Sequence, residues 1–139
     1  MSMYVNFALL YDDLMANAPY DKWIEFTQHF IKDKHVKQIV DLGCGTGEIT
    51  VRLAKDYNSI YGVDLSTTML SIAQQKAFEN NTPHVKWIEQ DIRQLSGFSN
   101  VDVFISYCDV LNYIVDLNDI ERVFNHVYDS LAEGGLFIF

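Results

Sequence analysis

Five short apolar runs, at 38–42, 59–64, 85–89, 101–106 and 136–139, alternate with stretches at 47–57, 67–80 and 118–131 where apolar residues recur at helical spacing. Runs this short, bounded by polar and glycine-containing segments, read as strands buried on both faces. The helical stretches read as amphipathic helices with one apolar stripe. The last helix has the clearest stripe, with Ile120, Val123, Phe124, Val127, Tyr128 and Leu131. Asn118 with Glu121 is placed to cap its start, and Gly134-Gly135 to stop it. Two further helical patterns precede the alternation. One carries Tyr4, Phe7, Leu10, Tyr11 and Leu14; the other follows Pro19 with Tyr20, Trp23, Ile24, Phe26, Phe30 and Ile31. Strand–helix alternation demands crossover connections, so the pattern predicts an α/β fold: an open parallel sheet with helices on both faces. Residues 1–35 are expected to form N-terminal helices and 36–139 the core of a single domain.

The first strand ends in Val40-Asp41-Leu42-Gly43-Cys44-Gly45-Thr46-Gly47, a tight turn opening a helix. Glycines alternate here, which suits a loop whose backbone itself must approach a ligand. A dinucleotide fingerprint would need glycine at position 48, where Glu48 stands instead. Asp41 and Glu48 bracket the loop, so a pyrophosphate should be repelled there and a cationic nucleoside attracted.

Further motifs follow in order. Tyr61-Gly62-Val63-Asp64-Leu65-Ser66 ends the second strand in an acid, Gln90-Asp91-Ile92 follows the third, and Asp102-Val103-Phe104-Ile105-Ser106 makes the fourth. Leu131 to Phe139 reads as helix end, turn and fifth strand. Together with the glycine loop these resemble the class I (Rossmann-like) S-adenosylmethionine (SAM)-dependent methyltransferases, and the Tyr-Asp-Asp-Leu-Met run at 11–15 resembles bacterial members that act on small molecules. The resemblance implies strand order 3-2-1-4-5 with an N-terminal helical lid, SAM as cofactor and a small-molecule methyl acceptor. Family members continue through two more strands, one of them antiparallel. This chain stops within an apolar strand, so it is expected to be a piece of a longer protein with those strands absent.

The resemblance also assigns residues. Asp41 helps to hold the amino group of SAM, directly or through water, and Gly43, Cys44, Gly45 and Gly47 form the loop beside it. Asp64 accepts both ribose hydroxyls, Leu65 and Met69 sandwich the adenine, and Asp91 with the Ile92 backbone N–H reads its edge. Each has a plainer reading too: a capping Asp41, a core Met69, an N-capping Asp91. Ser106 opens the segment whose carbonyls meet the methionine ammonium. Tyr11 and Tyr20 are lid candidates. Methyl transfer from a sulfonium needs alignment and exclusion of water more than acid–base help. If a base is needed, Asp109 is the first candidate and Tyr113 the second.

Charge and cysteines narrow the picture. The formal net charge is −9, with 19 acidic against 10 basic residues, which disfavours nucleic acid as substrate. Cys44 and Cys108 are far apart in sequence, and no metal-ligand spacing appears. No apolar run approaches a membrane span and no secretory signal pattern is present, so a cytoplasmic location is expected. Two alternatives remain beside the enzyme: a non-catalytic SAM-binding module, and an NAD-dependent oxidoreductase, which Glu48 disfavours.

Overall fold

A computed structural model describes residues 16, 18–107, 114 and 116–139. Five strands, β1 (Ile39–Leu42), β2 (Ile60–Asp64), β3 (Lys86–Glu89), β4 (Val101–Ile105) and β5 (Leu131–Ile138), form one sheet in the order β3-β2-β1-β4-β5. Every neighbouring pair is parallel, as the strand–helix alternation predicts. The helices are α1 (Tyr20–Ile31), α2 (Glu48–Ala54), α3 (Thr67–Glu79) and α4 (Leu117–Ser130), with a 3-10 turn at Ile92–Gln94. The helical pattern at 4–15 lies outside the described residues.

Side-chain alternation along the central strands divides the core in two. Ile39, Val103 and Ile105 join Tyr20 and Ile31 of α1 and Ile49 and Leu53 of α2 in one buried cluster. Val40, Leu42, Val63 and Phe104 join Ile92 and Leu95 with Val123 and Val127 of α4 in the other. Helices therefore cover both faces. Asp41 shares the parity of Ile39 and is directed toward the α2 side, where it meets the first turns of that helix.

Two boundaries differ from the sequence expectation. Asp116, not Asn118, caps α4: its carboxylate accepts from the Asn118 backbone N–H at 2.8 Å. The helix also ends before Gly134-Gly135, at Ser130, whose hydroxyl donates to the His126 carbonyl at 2.7 Å. β5 pairs at once through Leu131 with Val101 and again through Leu136 with Val103, so Ala132–Gly135 bulge opposite Asp102. The glycines serve that bulge. Gly134 has φ +75°, and a Cβ on Gly135 would stand 3.0 Å from the Val101 carbonyl oxygen.

Gly62 in β2 marks a close approach that the strand pattern conceals. A Cβ there would sit 2.4 and 2.5 Å from ring atoms of Trp87 on the neighbouring β3. Overpacking of this kind costs about 1–3 kcal/mol. Gly62→Ala should lose that much stability in urea unfolding, and adding Trp87→Leu should return part of it. Strictly additive losses in the double variant would contradict the packing assignment.

Candidate functional site

The carboxyl ends of all five strands lie on one edge of the sheet, and the winding reverses between β1 and β4. That is where an open parallel sheet offers a crevice. The glycine loop follows β1 there, with Gly43, Gly45 and Gly47 all left-handed at φ 70°, 57° and 83°. L-residues with a side chain enter that region only at a cost, so the backbone path itself requires glycine. Gly43 N–H and Cys44 N–H both donate to the Val63 carbonyl, at 2.7 and 2.9 Å, tying the loop to β2.

Gly47 also has a packing reason to be glycine. A Cβ there would stand 2.8 Å from the Trp87 ring and 2.9 Å from the Ala73 methyl group, so that side of the loop is filled by protein rather than held open. Gly47 also starts α2, accepting from Val51 N–H at 2.8 Å.

The charges around the loop also depart from expectation. Glu48 is not an uncompensated carboxylate: Lys76 reaches it at 2.8 Å and Arg52 at 3.3 Å. Asp41 is 3% exposed, and among the described residues its side-chain partner is the Thr50 hydroxyl, which donates at 2.7 Å. Burial pushes the Asp41 carboxyl up to about 7; the Thr50 hydrogen bond opposes the shift and the charge of Asp64 adds to it. The pair expected to repel a pyrophosphate thus consists of a neutralised glutamate and a carboxyl poised near neutrality.

Asp64 occupies the end of β2 and grips the loop from the side. Its Oδ2 accepts from Gly45 N–H and its Oδ1 from Ser66 N–H, both at 2.9 Å. A carboxylate has about four lone-pair sites, so each oxygen keeps capacity for a further donor. Beside it Leu65 is 64% exposed, an apolar side chain open at the strand end, whereas Met69 is buried at 5%. Ser66 caps α3 by accepting from Met69 N–H at 3.2 Å.

Asp91 caps the 3-10 turn after β3, accepting from Arg93 N–H at 3.0 Å, and its carboxylate also pairs with the Arg93 guanidinium at 2.6 Å. Arg93 holds the Asp91 carboxyl below its ordinary range. Ile92 is 9% exposed and belongs to the core on the α4 side. Ser106 is buried; its hydroxyl donates to the Leu42 carbonyl at 3.0 Å and its N–H to the Ile138 carbonyl at 3.0 Å, which locks β4 between its neighbours. Burial and the charges of Asp41 and Asp64 raise the Cys44 thiol well above its usual range, so Cys44 is suited to filling space and not to nucleophilic attack. Tyr20, a lid candidate by sequence, is 7% exposed, edge-on to Trp23 at 5.5 Å and beneath the Arg52 guanidinium at 5.2 Å, a core position. Tyr11, Asp109 and Tyr113 lie outside the described residues, as does Cys108.

A family model described as a methyltransferase domain matches residues 39–135. The crystal structure of a SAM-dependent methyltransferase from Clostridium acetobutylicum superposes with a TM-score of 0.83 at 34% identity, covering 98% of this chain and 56% of that one. The chain belongs to the class I SAM-dependent methyltransferases. A Geobacillus relative is 43% identical over 98% of this chain and 56% of its own length. The Bacillus subtilis protein YqeM is 39% identical over 99% and 54%, and both are named provisionally as methyltransferases. The methyltransferase chain described here therefore spans about half the length of the curated relatives it matches.

Sequence reading missed three residues that pack around the strand ends and the glycine loop. Thr50 donates to Asp41 from α2, and no local motif announces it. Trp87 fills the space under Gly47 and Gly62; an isolated glycine inside a strand was the available signal. Tyr107, directly after Ser106, contacts Thr27 of α1 through its hydroxyl and stacks on Trp23 with ring centroids 6.2 Å apart. Thr27 is fully buried, and a threonine on the apolar stripe of α1 was the hint.

Proposed function

We propose that this chain carries the cofactor-binding core of an enzyme that transfers a methyl group from SAM to a small-molecule acceptor. The observation that carries the reading is the Asp64 clasp: an acidic side chain at the end of β2, bonded to Gly45 N–H, with lone pairs to spare beside an exposed Leu65. Such a carboxylate suits two adjacent ribose hydroxyls, and Leu65 offers apolar surface for a base. Asp91 and Ile92 stand one strand further along for the base edge, and Met69 backs the site from α3. Asp41, Gly43, Cys44, Gly45, Gly47 and Ser106 line the opposite end, where an amino-acid moiety would lie, with Tyr11 as a covering residue.

The cofactor supplies a methyl carbon already activated by its sulfonium. The chain's part is to hold that carbon in line with an incoming nucleophile and exclude water. Asp109 is proposed as the group that orients or deprotonates the acceptor, with Tyr113 second. A relative from Deinococcus radiodurans, 33% identical over 78% of this chain, is named a trans-aconitate 2-methyltransferase, which supports a small acceptor. The net charge of −9 points the same way. Among the described residues no helix is long and apolar enough to cross a membrane, which is compatible with the proposed cytoplasmic location.

Coverage of about half of each relative favours one competing reading, a module that binds SAM without turnover by itself. Titration calorimetry with SAM and with NAD, followed by transfer of labelled methyl to candidate acids and amines, separates the possibilities. Binding of SAM alone with measurable transfer is expected. NAD binding in its place would sink the proposal, and SAM binding without transfer in the full-length protein would favour the module. In an active protein Asp109→Asn should leave SAM affinity unchanged and slow turnover about 10²–10⁴-fold, the usual range for a lost general base. An unchanged rate would remove Asp109 from that role.

A further inference from the structure

The two carboxylates that follow β2 and β3 differ in what they have left to offer. Asp64 accepts one backbone N–H on each oxygen and keeps a lone pair on each. Asp91 keeps none. Its Oδ1 accepts from Arg93 N–H and Arg93 Nε, both at 3.0 Å, and its Oδ2 from Nε at 3.1 Å and Nη2 at 2.6 Å. The guanidinium fork and one backbone N–H thus fill its acceptor positions.

The backbone under this pair is fixed. Gln90 closes the segment 90–96 with its side-chain amide, donating to the Ser96 carbonyl at 2.9 Å and accepting from Ser96 N–H at 3.1 Å. Gln90 N–H is itself bonded to the Asp64 carbonyl at 3.0 Å, and Ile92 and Leu95 anchor the segment in the core. Asp91 is therefore freed by rotation of the Arg93 side chain and not by movement of the loop. That side chain is exposed, so little packing holds it in place. A second acceptor stands within reach: Arg93 Nη1 lies 3.4 Å from Asp119 Oδ2 on α4, and the other Asp119 oxygen faces Arg122 at 3.3 Å.

We propose that Arg93 is a specificity-determining residue that competes with the nucleoside base for Asp91, so that a purine amino group is accepted only as the guanidinium passes from Asp91 to Asp119. This rests on the proposed SAM function, in which Asp91 reads the base edge, and adds an internal competitor to it. Affinity for the cofactor is then lower than Asp91 alone would give. A base with a carbonyl oxygen in place of the amino group gains nothing from the exchange, because the freed carboxylate repels it.

The test compares two uncharged thioethers by calorimetry, S-adenosylhomocysteine and S-inosylhomocysteine, in which a carbonyl oxygen replaces the amino group. Arg93→Gln should tighten S-adenosylhomocysteine about threefold to fivefold, the worth of a well-formed exposed ion pair, and should not tighten S-inosylhomocysteine. Arg93→Lys, a point charge without the fork, should fall between. Asp119→Asn removes the acceptor that receives the guanidinium, so it should weaken S-adenosylhomocysteine, with no effect in the Arg93→Gln background. Added salt screens the ion pair and should tighten S-adenosylhomocysteine on the unsubstituted chain but not on Arg93→Gln. A merely structural role for Arg93 would weaken both ligands. Weaker or unchanged S-adenosylhomocysteine binding by Arg93→Gln, or equal tightening of both ligands, would overturn the proposal. If the unsubstituted chain bound neither nucleoside, the functional reading would fall and this one with it; S-adenosylhomocysteine binding that Arg93→Gln leaves untightened overturns this one alone.

Discussion

Asp64→Ala is expected to lower SAM affinity by on the order of a hundredfold or more, because a hydrogen bond to a charged group contributes about 1.5–3 kcal/mol and this carboxylate is proposed to receive two from the ribose. The geometry adds a second cause. Asp64 already accepts from Gly45 N–H and Ser66 N–H, so its loss also frees the middle of the glycine loop and the start of α3. Asp64→Asn keeps one acceptor oxygen for those donors and should fall between the wild type and alanine. The loop stays anchored to the Val63 carbonyl through Gly43 and Cys44, so the fold should survive either change. Calorimetry with SAM measures the loss, and circular dichroism reports the fold. Unchanged affinity in a folded Asp64→Ala protein would refute the ribose assignment.

The architecture was legible because it depends on patterns that burial imposes everywhere. A strand covered on both faces must be a short apolar run, and a covering helix must carry a stripe, so the type and succession of elements followed from spacing, while the strand order came with the family resemblance. Boundaries were less legible where two residues offered the same service. Asp116 and Asn118 are both good caps, and the helix starts at Leu117 with Asp116 in the capping position. Gly134-Gly135 looked like a helix stop because a bulge uses glycine for the same left-handed geometry.

At the site, the sequence identified which residues stand at the strand ends but not how they are partnered. Glu48 seemed a free charge beside the loop until Lys76 arrived from α3 across the fold. Gly47 read only as a loop glycine, whereas its Cβ direction is also filled by Trp87 from β3. Contacts between residues distant in the chain leave no periodic trace, and each of these corrections is of that kind. Thr27 with Tyr107, separated by 80 positions, is another.

The pH dependence of stability should carry a large contribution from Asp41. Its carboxyl titrates near 3.8 when free and about 7 in the folded chain, because burial at the end of β1 disfavours the charged form. The folded state therefore holds a proton that the unfolded state has released throughout that interval. Stability from this group is fully present below about 3.8, declines as pH rises through the interval, and is gone above about 7. At about 1.4 kcal/mol per pH unit the span amounts to on the order of 4 kcal/mol. Asp41→Asn has no such proton to lose. Urea unfolding of both proteins between pH 4 and 8 isolates the group, since other titrations cancel in the difference. The wild type should lose stability relative to Asp41→Asn as pH rises, and parallel profiles would show that Asp41 is ionised throughout. The same carboxyl links to binding. An ammonium placed beside it favours the ionised form, so under the proposed function SAM should bind more tightly at pH 8 than at pH 6 and release a proton as it binds below pH 7. Calorimetry in buffers of different ionisation heat detects that proton, and an identical binding enthalpy in all buffers at pH 6 would break the link.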